Sequence, residues 1–148
     1  LVMKATHTPD VIQTTGQFDC LTLDLTSSGP SALAQSDKMG SYHLFGYFNQ
    51  KPAYQHDSGL DYLYFAEGDA WVIGASFGGS RVGIVNFDTQ SCPFIIRSVW
   101  RHSVSGKLEK DTGISVTCTV HKYDMWNHPF VSTTFQATFL LASHTRRM

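Results

Sequence analysis

Apolar residues in this chain alternate with polar ones, or fall in short blocks of β-branched and aromatic types, and rarely recur at helical spacing. From Phe18 to Leu25, the apolar Phe18, Cys20, Leu21, Leu23 and Leu25 stand against Asp19, Thr22 and Asp24, which is strand grammar. Tyr42 to Phe48 reads as a second strand, Asn49-Gln50-Lys51 as a turn, and Ala53 to His56 as the returning strand. The unit then repeats: Tyr62-Leu63-Tyr64-Phe65 leads into Glu67-Gly68-Asp69, and Trp71-Val72-Ile73-Gly74 returns. Gly68 supplies the positive φ that a short hairpin loop needs. Beyond the Gly78-Gly79-Ser80 loop, further strands are predicted at Val82 to Phe87 and at Ile95 to Val104 around Trp100. After a Ser105-Gly106-Lys107 turn come Ile114 to Val120 and finally Val131 to Leu141. Only Ser31 to Ser36, between Gly29-Pro30 and Gly40, has room for a turn or two of helix.

Short strands separated by turns, without intervening helices, predict an all-β fold: a single-domain antiparallel β-sandwich or partly open barrel built from hairpins. The domain is expected over 18–141, as a core at 18–118 and a C-terminal extension at 119–141. A polar, Thr-rich N-terminal segment, 1–17, precedes it, and a tail, 142–148, follows. Trp71 and Trp100 sit centrally in their strand patterns and are expected in the core. Trp126, in the polar-aromatic connection 121–130, is expected to be the exposed tryptophan.

Composition narrows the function. The 148 residues are 42% hydrophobic, 13% aromatic and only 16% charged. Eleven basic against twelve acidic side chains give a formal charge of −1. No nucleic-acid partner is expected, because counterion release needs a basic face. The best apolar stretch, Phe139-Leu140-Leu141-Ala142, falls far short of the roughly 20 residues of a membrane span. No span is expected. The opening Leu1-Val2-Met3-Lys4 is not a complete signal peptide, which suits a mature product whose signal is gone.

A longer pattern adds to this. Met39-Gly40-Ser41-Tyr42, then Asn49-Gln50-Lys51-Pro52-Ala53-Tyr54-Gln55-His56, Tyr62-Leu63-Tyr64, Trp71-Val72-Ile73-Gly74, Cys92-Pro93, Trp100 and Val116-Thr117-Cys118 follow in order. The run resembles an extracellular module of invertebrate secreted and receptor-like proteins. It departs at Gln50, where the module usually carries Gly. The resemblance implies a secreted binding or architectural part with no enzymatic activity. It also sets Cys20 and Cys118 as the module's outer bounds. Both cysteines alternate with polar neighbours, which turns their sulfurs inward, so these two are expected to pair. Three cysteines leave one over. Cys92, between Thr89-Gln90-Ser91 and Pro93, is expected near the surface, as an unoxidised thiol or one paired with another chain. The alternative is three reduced cysteines in a cytosolic protein.

Catalytic and metal signals are weak. The chain has seven histidines but no H-E-x-x-H and no C-x-x-C. His121, Asp124 and His128, and likewise His56, Asp57 and Asp61, read as solvated polar clusters. No metal and no cofactor is expected. Ser76 and Ser80 lie near glycines without a G-x-S-x-G elbow, and no helix follows Gly74, Gly78, Gly79 and Gly83 to cradle a phosphate. Glu67 and Asp69 belong to a turn. The tyrosines say more, since amphipathic rings are enriched at binding surfaces. Tyr54, His56, Tyr62 and Tyr64 are the candidate binding residues, against the competing reading of tyrosines as cross-strand core pairs. The leading expectation is a non-enzymatic, secreted module that contacts another extracellular protein or self-associates in an assembly. The alternatives are a carbohydrate-binding module and a small hydrolase with an unrecognised site.

Overall fold

The alternation at the start of the domain becomes strand β1 (Cys20–Ser27), with Cys20, Leu23 and Leu25 fully buried. The computed structural model describes residues 20–121. The expected strand at 131–141, Trp126, and the segments 1–17 and 142–148 lie outside the described residues. Eight more strands follow: β2 (Gly40–Phe48), β3 (Lys51–His56), β4 (Tyr62–Ala66), β5 (Ala70–Gly74), β6 (Val82–Asn86), β7 (Trp100–Val104), β8 (Lys107–Asp111) and β9 (Ile114–His121). They form one antiparallel sheet in the order β8-β7-β6-β5-β4-β3-β2-β1-β9, curled into a half-barrel. Of the two predicted architectures, the partly open barrel is the one adopted.

The hairpins follow from their turn residues. Gly68 and Asp69 take φ of 99° and 61° between β4 and β5. Asn49 and Gln50 take 49° and 64° between β2 and β3, so this turn keeps two left-handed residues even without glycine. The Asn49 side-chain amide donates to the Phe65 carbonyl at 3.0 Å, which holds the turn against β4.

Two expectations are corrected. The strand around Trp100 is shorter than its apolar run, because Pro93 starts a 3-10 turn, Pro93–Ile95, and pairing begins only at Trp100. Lys107, expected to end a turn, instead opens Lys107-Leu108-Glu109-Lys110-Asp111, which forms β8, a strand the sequence pattern does not predict. It is an edge strand, and its charges suit an edge that must not pair further.

Inside the curl, the concave face buries Leu23, Leu25, Tyr42, Tyr54, Leu63, Trp71, Ile73, Ile84 and Trp100 as one cluster. Both expected core tryptophans are there. The connection 28–39, with its short helix α1 (Ser31–Ala34) and a 3-10 turn (Ser36–Lys38), ties the strand ends together. Gln35 Nε2 donates to the Ser103 carbonyl on β7 at 3.1 Å, and Lys38 Nζ lies 3.4 Å from Asp61 Oδ1 just ahead of β4.

The chain passes from β8 to β9, opposite edges of the sheet, through Thr112 and Gly113 alone. Three Cα–Cα steps reach no further than about 11 Å, so the two edges must nearly meet at this end. Asp111 fastens the junction. Its carboxylate accepts from the Ser27 hydroxyl (2.8 Å), the Ser31 N–H (2.9 Å) and the Gly113 N–H (2.8 Å). Gly29 is required beside it, since a Cβ there would lie 2.1 Å from Asp111 Oδ1.

This arrangement carries a pH prediction. Burial alone would raise the Asp111 carboxyl, but the hydrogen bonds from Ser31, Gly113 and Ser27 outweigh it and hold the group at about 2, below its ordinary 3.8. A depressed folded-state value stabilises fully above the unfolded one. The contribution, about 2 kcal/mol, is therefore present above about pH 4 and is lost as the pH falls toward 2. Urea unfolding across this range is expected to show that loss, and Asp111→Asn is expected to flatten it. An unchanged acid limb in Asp111→Asn would remove the assignment.

Candidate functional site

Strands β3, β4 and β5 are buried on both faces, so a second apolar layer covers the convex side of the sheet. Ala53, Tyr64, Ala70, Val72, Phe77 and Val85 form it. Phe77 comes from the loop between β5 and β6, and Tyr64 holds that loop down. The Tyr64 hydroxyl donates to the Ser76 carbonyl and accepts the Gly78 N–H, both at 2.9 Å. Burial pushes the Tyr64 phenol up, with backbone hydrogen bonds from Gly78 and Gly79 pulling against it.

On this platform stand the more exposed rings. The register slips between Leu44 and Gly46 opposite Tyr54 and Ala53, so Phe45 is the extra residue of a β-bulge. It is 50% exposed. Its centroid lies 5.7 Å from that of Tyr62 and 6.1 Å from that of Phe77. Tyr62 is half-buried, 4.6 Å from Phe77, and its hydroxyl accepts from Gln55 Nε2 at 3.2 Å. Phe48 closes the group, 5.3 Å from Tyr64 and 5.1 Å from Phe77. The result is a contiguous aromatic surface with Phe45 and Tyr62 outermost.

The four candidate binding residues separate in space. Tyr62 joins this surface. Tyr64 lies beneath it at 1% exposure, and Tyr54 points to the concave core at 0%, so neither offers a ring to a ligand. The reason is local: in a sheet covered on both sides, alternation distinguishes two interiors, not inside from outside. His56 is engaged structurally. Its Nε2–H donates to the Met39 carbonyl at 2.7 Å, Nδ1 accepts from the Ser58 N–H at 3.1 Å, and its ring meets Tyr42 edge-on at 4.9 Å. Cys20 and Cys118 form a disulfide across β1 and β9, with Cα atoms 5.8 Å apart. Cys92, expected near the surface, is 3% exposed, and Pro93 beside it is buried as well.

Of the two polar clusters, Asp124 and His128 lie outside the described residues, and the carboxylates of the other are engaged. Asp57 pairs with His43, and Asp61 with Lys38. Among the described residues no group of three or more His, Cys, Asp or Glu is placed to hold a metal ion. No helix among them is long and apolar enough to cross a membrane. Phe45 and Phe77 each carry a sequence signal, a large ring beside glycine in Leu44-Phe45-Gly46 and Ser76-Phe77-Gly78-Gly79, whereas Phe48 carries none. Comparison with protein-family models, with curated proteins and with solved structures finds no match to this chain.

Proposed function

We propose that this chain is a non-enzymatic, extracellular binding domain whose convex aromatic surface contacts another protein. The carrying observation is the half-exposed Phe45, projected by a bulge beside Tyr62 over the buried Tyr64–Phe77 platform. A rigid aromatic group with little charge to desolvate is what a protein contact favours at its centre. The disulfide supports an oxidising, extracellular setting. The rings argue for a protein over a sugar. Phe45 and Tyr62 cross at 63°, and the near-parallel partner of Phe45 is the buried Phe77, so the surface lacks two open coplanar rings for a saccharide to lie across.

The test compares wild-type protein with Phe45→Asp and Tyr62→Ala as baits for cross-linked partners in native extracellular material. A single partner retained by wild type is expected to fall by about tenfold or more with either variant, with both variants still folded by their amide spectra. Equal recovery by all three proteins, or a wild-type signal on a glycan array abolished by the same variants, would overturn the reading.

A further inference from the structure

A second part of the convex face has a different chemistry. Arg101 on β7 and Lys110 on β8 are direct cross-strand partners. Val85, the partner of Arg101 on β6, belongs to the convex layer, so both cations project from that side. Like charges placed opposite each other cost stability. Among the described residues, neither forms an ion pair. Beside them Phe87 is 59% and Val99 42% exposed, and the Arg101 guanidinium lies 6.0 Å from the Phe87 centroid. These four side chains line a cleft of about 560 Å³.

The cleft is built on a fixed floor. Asn86 is buried, its Nδ2 donates to the Ser98 carbonyl at 3.1 Å, and its Oδ1 accepts the Asp88 N–H at 2.8 Å. The Ser98 hydroxyl sits 2.8 Å from Asn86 Oδ1 and 3.1 Å from Asp88 Oδ2. The Asp88 carboxylate is turned to its own loop, where Oδ1 accepts the Gln90 N–H at 3.1 Å.

We propose that this cleft binds an extended acidic peptide segment of another protein. A carboxylate sits between Arg101 and Lys110, and an apolar side chain two residues along lies on Phe87 and Val99. In an extended segment, same-face side chains repeat every 7 Å or so, which matches one charged and one apolar subsite side by side. The Arg101 guanidinium offers a planar fork to the carboxylate, and Lys110 offers a point charge. A densely sulfated saccharide fits less well. It needs a run of cations, and this cleft offers two, beside the exposed apolar Phe87 and Val99. The site stands independently of the Phe45–Tyr62 surface.

The probe is a fluorescently labelled random copolymer of glutamate and tyrosine, with polyglutamate and heparin alongside, on the full chain at low salt. Saturable copolymer binding is expected, with amide shifts confined to residues 86–89, 98–101 and 110. Arg101→Gln and Lys110→Gln are each expected to weaken it about tenfold, the usual scale for a lost charge-assisted hydrogen bond. Phe87→Ser is expected to weaken copolymer binding and leave polyglutamate binding unchanged. Phe45→Asp is expected to leave both unchanged, which separates this site from the aromatic surface. Amide mapping on the wild-type chain needs no variant to fold. Absence of binding, shifts centred elsewhere, insensitivity to Arg101→Gln and Lys110→Gln, or preference for heparin through the same residues would each overturn the proposal.

Discussion

Trp71→Ala is expected to lower the unfolding free energy by about 3–5 kcal/mol, the range for removing a large buried aromatic. The indole is fully buried in the concave cluster, on a strand whose five residues are all buried. It packs edge-on against its cross-strand partner Phe65, at 5.5 Å and 65°. Its Nε1–H donates to the Gln90 carbonyl at 3.0 Å. That carbonyl also accepts from Lys51 Nζ at 3.0 Å, so losing the indole donor does not orphan it. Nearly all of the cost should therefore come from lost packing. Trp71→Phe, which keeps a ring, is expected to cost about 1–2 kcal/mol, well below the alanine variant. Urea unfolding measures both. The midpoint should fall while the denaturant slope stays constant, because the surface exposed on unfolding hardly changes. A loss below about 1 kcal/mol for Trp71→Ala would contradict the packing described. Against a total stability of about 5–15 kcal/mol, the expected loss alone would leave a marginal domain.

The residues that made the fold legible were those whose pattern has one physical cause. Trp71-Val72-Ile73 is a dense apolar block between turn residues, and Gly68 marks the hairpin before it; both appear in the structure where the sequence placed them. β8 was illegible because Leu108 is its only aliphatic residue, and a charged edge strand has no buried face to write a period into its sequence. The site was less legible than the fold. Tyr62 and Tyr64 alternate with Leu63 as an exposed face would, yet the Phe77 loop folds over that face and buries Tyr64 while leaving Tyr62 at the rim. Placing Phe45 required knowing the register slip opposite Tyr54 and Ala53. That slip is a relation between two strands, and neither strand carries it alone. The same holds for Arg101 and Lys110, nine positions apart in the chain and adjacent only once β7 and β8 pair.

Removing the Cys20–Cys118 disulfide is expected to be as damaging as losing Trp71, by a different route. The bond joins residues 98 apart in sequence and so closes nearly all of the described domain into one loop. In the chain-entropy model, opening such a loop costs about 4–5 kcal/mol by releasing the unfolded chain. The double variant Cys20→Ala, Cys118→Ala leaves the concave core otherwise in place, because Leu23, Leu25, Ile114 and Val116 still pack there. Its midpoint should therefore fall while the denaturant slope rises, since an unfolded chain without the cross-link exposes more surface. Trp71→Ala moves the midpoint alone, so the two mechanisms separate in one experiment. Non-reducing peptide mapping of the wild-type chain is expected to return the Cys20–Cys118 peptide pair. Cys92 should resist alkylation until the protein unfolds, because its thiol is buried. A Cys92-linked peptide would overturn the pairing. A double variant within about 1 kcal/mol of wild type, with an unchanged slope, would mean that the unfolded chain already holds its two ends together.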